Sequence, residues 1–143
     1  MTTLTSANSV LMIGVGVVFP VPQKIEGYAT DDAFTFEVMQ LAQAVMGVDG
    51  RMSAGYTPQV AVQTISLQAD SPSKIIFETW VAAMKTSREV FYANGTLNIP
   101  SIKRKFTLSK GVLTQSPPAP TAHAILQPMT FQITWESVSS ALV

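Results

Sequence analysis

The sequence predicts a mainly β protein with one helix laid against a sheet, and three observations carry that reading. Only residues 70–86, DSPSKIIFETWVAAMKT, repeat apolar side chains at three- and four-residue spacing. The other apolar runs are short, rich in β-branched and aromatic residues, and broken by Gly, Pro, Asp-Gly and Asn-Gly. A chain of 143 residues is long enough for one core, which buries about two thirds of the unfolded surface at this size.

In the helical stretch, Ser71 is the expected N-cap, Pro72 fits the first helical position, and Asp70 complements the helix dipole. Ile76, Trp80, Ala83 and Met84 form the apolar stripe, and Phe77 and Val81 widen it. Lys74, Glu78, Thr79 and Lys85 fall mostly outside. The helix is expected over about residues 72–86, as a packing face with no chemistry of its own.

Residues 1–8 read as a polar arm, and residues 9–143 as one domain. Residues 10–19, VLMIGVGVVF, form a strand in which Gly14 and Gly16 share a face. This GVG lacks the third glycine and the helix that a nucleotide fingerprint needs. Pro20 and Pro22 are expected to end the strand, and residues 23–30 lead to Asp31 and Asp32. Adjacent residues on a strand point to opposite faces and no His or Glu cluster is placed to help, so this pair reads as a solvated loop or a subunit contact. Residues 34–45 read as a long strand, with helix the rival reading over 37–46.

Gly47, Val48, Asp49 and Gly50 make a hairpin turn, and the return strand runs from Arg51 to Pro58. Residues 60–69 form another strand that ends at the helix cap. Beyond the helix, Asn94-Gly95 signals a second tight hairpin between residues 89–92 and 97–99, and the sequon it spells reads as turn chemistry. In residues 102–115, Ile102, Phe106, Leu108 and Val112 are expected on one face with Arg104 and Lys110. Residues 116–122, SPPAPTA, are a loop, and residues 125–136 alternate with Ile125, Met129, Phe131, Ile133 and Trp135 on one side.

Nine acids balance nine bases, and charged residues make up 13% of the chain, about half the usual share. So little charge protects poorly against association, which implies that much of the surface is covered by other chains. Residues 1–70 hold six acids and two bases, residues 71–143 seven bases and three acids, giving −4 and +4. Identical subunits could then meet head to tail, a contact that generates rings or filaments. Lys103, Arg104 and Lys105 are the only basic run. It is short for a nucleic-acid patch and reads as an exposed strand face or an inter-subunit charge contact.

Cysteine is absent, which removes disulfides and thiolate chemistry. The single histidine, His123, lies in the Pro-rich loop without partners for a triad or for zinc or heme ligation. No enzyme activity, cofactor or metal is therefore expected. The N-terminus has no basic region before the apolar run, and that run is far too short to span a bilayer, so an intracellular product with no membrane insertion is expected.

The ordered set GYATDDAF, GVDGRMSAGY, LQADSPS with its helix, the NGT turn, RKFTLSKGVL and LQPMTFQITWESV, across residues 8–138, resembles small tail tube proteins of contractile-tailed bacteriophages. The resemblance implies a β-sandwich or flattened barrel of two antiparallel sheets with one flanking helix. It implies hexameric rings whose inner sheets join around a lumen, stacked into a tube through which double-stranded DNA passes without specific binding. Tail sheath and baseplate proteins would be partners, in a virion assembled in the bacterial cytoplasm. A hairpin reaches between rings in such tubes, and Gly47, Val48, Asp49, Gly50 and Arg51 are the candidate tip. Asp31, Asp32 and Glu37, with Asp49, are candidates for an acidic lumen or inter-ring face, and Lys103, Arg104 and Lys105 for the complementary basic face. A ring-forming tail completion protein and a type VI secretion tube subunit are the structural alternatives, and a monomeric ligand-binding β-barrel is a more remote one.

Overall fold

The computed structural model describes residues 9–16, 18–26, 34–119 and 126–142. The arm at 1–8, Asp31, Asp32, His123 and Ile125 lie outside the described residues. The chain is mainly β with one helix, in two antiparallel sheets. The strands are β1 (Val10–Val15), β2 (Phe19–Lys24), β3 (Phe34–Phe36), β4 (Ala42–Met46), β5 (Met52–Tyr56) and β6 (Ala61–Leu67). After helix α1 (Lys74–Ser87) come β7 (Ala93–Ile99), a short 3-10 turn at Pro100–Ile102, β8 (Arg104–Gln115) and β9 (Met129–Leu142). Seven strands form the main sheet in the order β2-β1-β7-β8-β9-β6-β3, and β4 and β5 pair only with each other. The main sheet is open rather than closed into a barrel.

The sheet curls around the helix. Strand β2 stands first in the order and β6 sixth, yet the turn that follows β6 bonds to the chain that follows β2. Ser73 Oγ accepts the Glu26 N–H at 2.6 Å and donates to Lys24 O at 3.2 Å, while Ser71 Oγ donates to Glu26 O at 2.5 Å. Ser71 Oγ also accepts the Ser73 N–H at 3.2 Å, so it caps the turn that leads into the helix and not the helix itself. The N-cap is Ser73, in helical conformation and with no side-chain cap bond, so α1 begins two residues later than the sequence predicts. Arg88 ends the helix in the left-handed region at φ 58, its N–H on Met84 O at 2.8 Å.

The helix buries Ile76, Phe77 and Trp80 against the concave face of the sheet. Phe77 stacks on Phe131 of β9 with ring centroids 4.4 Å apart, and the Trp80 indole donates to Phe91 O at 3.1 Å. Leu11, Ile13, Ile65, Leu97, Leu108 and Ile133 complete the floor. Trp135 lies flat over two glycines. A Cβ added to Gly111 would stand 2.4 Å from its ring, and one added to Gly95 would stand 2.8 Å from Met12 O and 3.4 Å from the ring. A side chain at Gly111 would displace the Trp135 ring and one at Gly95 would collide with the Met12 carbonyl, so glycine is a packing requirement at both.

Four expectations are corrected. Pro20 and Pro22 lie inside β2 instead of ending β1, which is possible because β2 is an edge strand and a proline loses no ladder bond on the outer side. Residues 34–45 are neither one strand nor a helix, since β3 and β4 belong to different sheets and residues 37–41 join them. Asn94 and Gly95 sit within β7, a central strand, with Gly95 opposite Ile13 and Leu108. Asn94 serves a bulge rather than a turn, its Oδ1 accepting the Lys110 N–H at 3.2 Å. Lys110, at φ 51, is the extra residue of that bulge, and it resets the alternation so that Leu113 is buried in place of the expected Val112. Strand β9 alternates as predicted from Met129 to Trp135 but runs on to Leu142.

Candidate assembly surface

Gly50 adopts φ 85, the conformation that only glycine takes freely, and lets the β4–β5 hairpin turn. Gly47 N–H bonds to Arg51 O at 2.7 Å, Gly50 N–H to Gly47 O at 3.0 Å, and Asp49 Oδ1 accepts the Arg51 N–H at 3.1 Å. The turn predicted at 47–50 is present, and Thr57 ties the base of the hairpin by donating from N and Oγ1 to Leu41 O and Gln40 O. All ten residues of the two strands are exposed. Val45, Met46, Met52 and Tyr56 are 65–78% exposed, and Val48 at the tip is fully so. A two-stranded hairpin is marginal by itself in water, and so much exposed apolar surface marks a contact site.

A second feature lies at the far end of β9. Strand β6 pairs with Met129–Trp135 only, whereas β8 pairs along β9 as far as Leu142. Among the described residues, Ser137 to Leu142 therefore has a strand on one side alone. Beside this open edge is an apolar groove of about 410 Å³, walled by Phe34, Phe36, Leu97, Ile99, Phe106 and Val138. Phe34 and Phe36 meet edge to face at 6.2 Å.

The face of the main sheet turned away from α1 is lined mainly by uncharged polar side chains. Cross-strand partners point the same way, so Thr96, Thr107 and Ser139 form one row across β7, β8 and β9. Thr134 and Thr114, 3.3 Å apart, belong to another, with Thr64 opposite Gln132 in the next. Its charges are Lys24 opposite Met12 on the β2 edge, Lys105 at the start of β8, and the Lys110–Glu136 pair, 3.6 Å apart, midway along β8 and β9.

The predicted site residues are scattered by these placements. Gly47, Val48, Asp49, Gly50 and Arg51 form the hairpin tip together. Glu37 lines the apolar groove, its N–H on Val62 O at 3.0 Å. Lys103 closes the 3-10 turn at φ 53, and Arg104 and Lys105 open β8 opposite Leu142 and Ala141, at the tip of the open edge. None of the three has an ion-pair partner among the described residues. The open edge of β9 and the groove are absent from the sequence reading. The exposed pattern of Ser137, Ser139 and Ser140 around Val138 was the available signal. Among the described residues, no group of three His, Asp or Glu gathers to hold a metal, and no helix is long and apolar enough to cross a membrane.

An open antiparallel sheet curled over one helix, with an exposed hairpin, is a fold found in contractile injection machines. The chain is similar to one in the anti-feeding prophage baseplate, at 14% identity over 100% of this chain and 98% of that one, with a TM-score of 0.61. It is similar to one in the tube-terminating cap of the same particle, at 12% identity, 100% and 93% coverage and a TM-score of 0.63. A third, from the sheath/tube terminator of the PVC extracellular contractile injection system, gives 11% identity, 99% and 98% coverage and a TM-score of 0.62. At these identities the similarity is one of fold. Comparison with curated proteins finds no match. The profile of the tail fiber protein gp32 family matches residues 2–139, and the chain belongs to that family. The tail-protein class implied by the sequence motifs stands at that level, and the tube assignment is finer than the family's description.

Proposed function

We propose that the chain is a non-enzymatic structural subunit of a contractile phage-type tail, which self-assembles into stacked sixfold rings forming a tube for DNA.

 The observation that carries this reading is the β4–β5 hairpin, whose ten strand residues are all exposed while its apolar side chains find no cover in their own subunit. A neighbouring subunit supplies that cover, and Gly47 to Arg51 form the tip that reaches it. The balanced charge and the −4 and +4 halves support head-to-tail contacts between copies. Sheath and baseplate proteins are the further partners, and the virion tail is the location.

The face turned away from the helix supports a conduit wall. Its threonine and serine rows hold few cations, and Lys110 and Lys24 are paired with Glu136 and Glu26, so duplex DNA would slide along them with little of the counterion release that drives tight binding. Asp31 and Asp32 remain candidates for an acidic part of the lumen. Glu37 is instead assigned to the contact between subunits, because it lines the groove beside the open edge of β9.

Negative-stain electron microscopy of the purified chain, with a sizing column run over a range of concentrations, tests the proposal. Stacked rings or hollow tubes are expected, and a monomer at every concentration would overturn it. A second reading is favoured by the similarity to chains in a tube-terminating cap and a sheath/tube terminator: a ring that ends a tube. Single rings that never stack would select it. The family's description favours a fibre subunit, for which solid, elongated particles without a lumen are the signature.

A further inference from the structure

We infer that the hairpin of a second copy is received at the open edge of β9, its β5 strand pairing antiparallel with Val138 to Leu142 and its apolar face filling the adjoining groove. This rests on the self-assembly reading and names the surface through which it acts.

The edges of the main sheet are not equivalent. Strand β2 carries Pro20 and Pro22, which have no N–H to donate, and β3 is three residues long. Ser137 to Leu142 offers six consecutive residues that are paired with β8 alone among the described residues. Strand β5 has five residues, pairs with β4 on one side only, and so has a free edge of matching length. Strand addition supplies main-chain hydrogen bonds for affinity and alternate side chains for specificity.

Alternation then fixes the register. Val138 and Ser140 line the groove, so the residues set opposite them point into it, and the residue opposite Leu142 lies on the same side just beyond. The hairpin is itself two-faced: Met46 pairs with Met52, Ala44 with Ala54 and Ala42 with Tyr56, while Gln43, Val45, Ser53 and Gly55 occupy the other side. Placing Met52 opposite Leu142 puts Ala54 opposite Ser140 and Tyr56 opposite Val138. Tyr56 thereby enters a groove walled by Phe34, Phe36, Ile99 and Phe106, with Ala54 beside it, while Met52 covers the exposed Leu142.

Charge agrees with this direction. Antiparallel pairing of β5 brings the hairpin tip to the Leu142 end of β9, where Arg104 is the cross-strand neighbour and Lys103 and Lys105 flank it. The one acid of the hairpin, Asp49, then meets three cations that have no ion-pair partner among the described residues. Arg51 leaves the tip without net charge, so the contact guides approach more than it adds affinity.

The absence of cysteine makes a direct test available. Ala54→Cys and Ser140→Cys are made as separate single variants, mixed, allowed to assemble, oxidised and run on a non-reducing gel, with the same samples viewed by electron microscopy. A covalent dimer is expected from the mixture, with several-fold less from either variant alone. Replacing Ser140→Cys by Ser139→Cys, which points to the other face of β9, should also reduce the yield several-fold. Rings or tubes without the cross-link would overturn the inference and leave self-assembly standing, as would a single variant that cross-links to itself as well as the mixture does. In an Ala54→Cys/Ser140→Cys double variant, a disulfide at monomer mobility would show the hairpin folding back on its own subunit, and would overturn it too. Neither particles nor cross-link would remove the inference together with the self-assembly reading.

Discussion

Trp135 donates its indole N–H to Gln63 Oε1 at 2.9 Å, and both residues are fully buried. The bond joins β9 to β6 inside the core, where an amide and an indole would otherwise each lose a partner. Gln63→Leu keeps the volume and removes the buried, unpartnered Nε2, but leaves the indole donor unmade, a penalty of about 1–3 kcal/mol that the first change only partly offsets. Urea unfolding should show that loss. Adding Trp135→Phe to Gln63→Leu should cost less than the sum of the two single losses, because the second change removes the orphaned donor.

Among the described glycines, Gly111 is the least able to carry a side chain. A methyl group there meets the Trp135 ring at 2.4 Å, and overpacking of this kind costs about 1–3 kcal/mol or more. Gly111→Ala should lower the thermal midpoint clearly. Gly55→Ala is the control, since nothing lies within 4 Å of the Cβ it adds, and its midpoint should stay within about 0.5 kcal/mol of the parent in stability terms.

Gly50→Val places a β-branched residue at φ 85, a conformation such residues avoid. The hairpin it distorts contributes no residue to the buried core, so the unfolding temperature should change little. Assembly should fail, with the sizing column showing a loss of rings at concentrations where the parent forms them. A large drop in thermal midpoint with normal assembly would contradict the role given to the hairpin.

Thr107→Lys and Thr134→Lys place cations on the face turned away from the helix. If that face lines the conduit, assembled particles of these variants should retain duplex DNA at low salt and release it as salt rises, whereas the parent retains little at any salt. Equal DNA retention by parent and variants would remove this face from the lumen.

Local chemistry made several elements legible. The apolar stripe of Ile76, Phe77 and Trp80, the Gly50 turn, and the alternation from Met129 to Trp135 each depend on neighbours in sequence, and each is where the sequence places it. The tip residues Gly47 to Arg51 were legible for the same reason. Asn94-Gly95 misled because the same dipeptide that favours a turn also suits a bulge, and the Met12 carbonyl on the neighbouring strand explains why Gly95 must be small. Pro20 and Pro22 misled because whether a proline ends a strand or blunts an edge depends on what pairs beside it.

The sequence by itself determined a β-rich chain with one packed helix, a hairpin turn at Gly47 to Gly50 and a low share of charge, since composition, period and turn chemistry are local properties. Tertiary structure decided which strands are edges, where alternation resets at Lys110, and that the last residues of β9 are left open beside an apolar groove. Those features depend on pairings between residues far apart in the chain, where the partner on each side of a strand, and not its own sequence, sets which backbone groups remain to be satisfied.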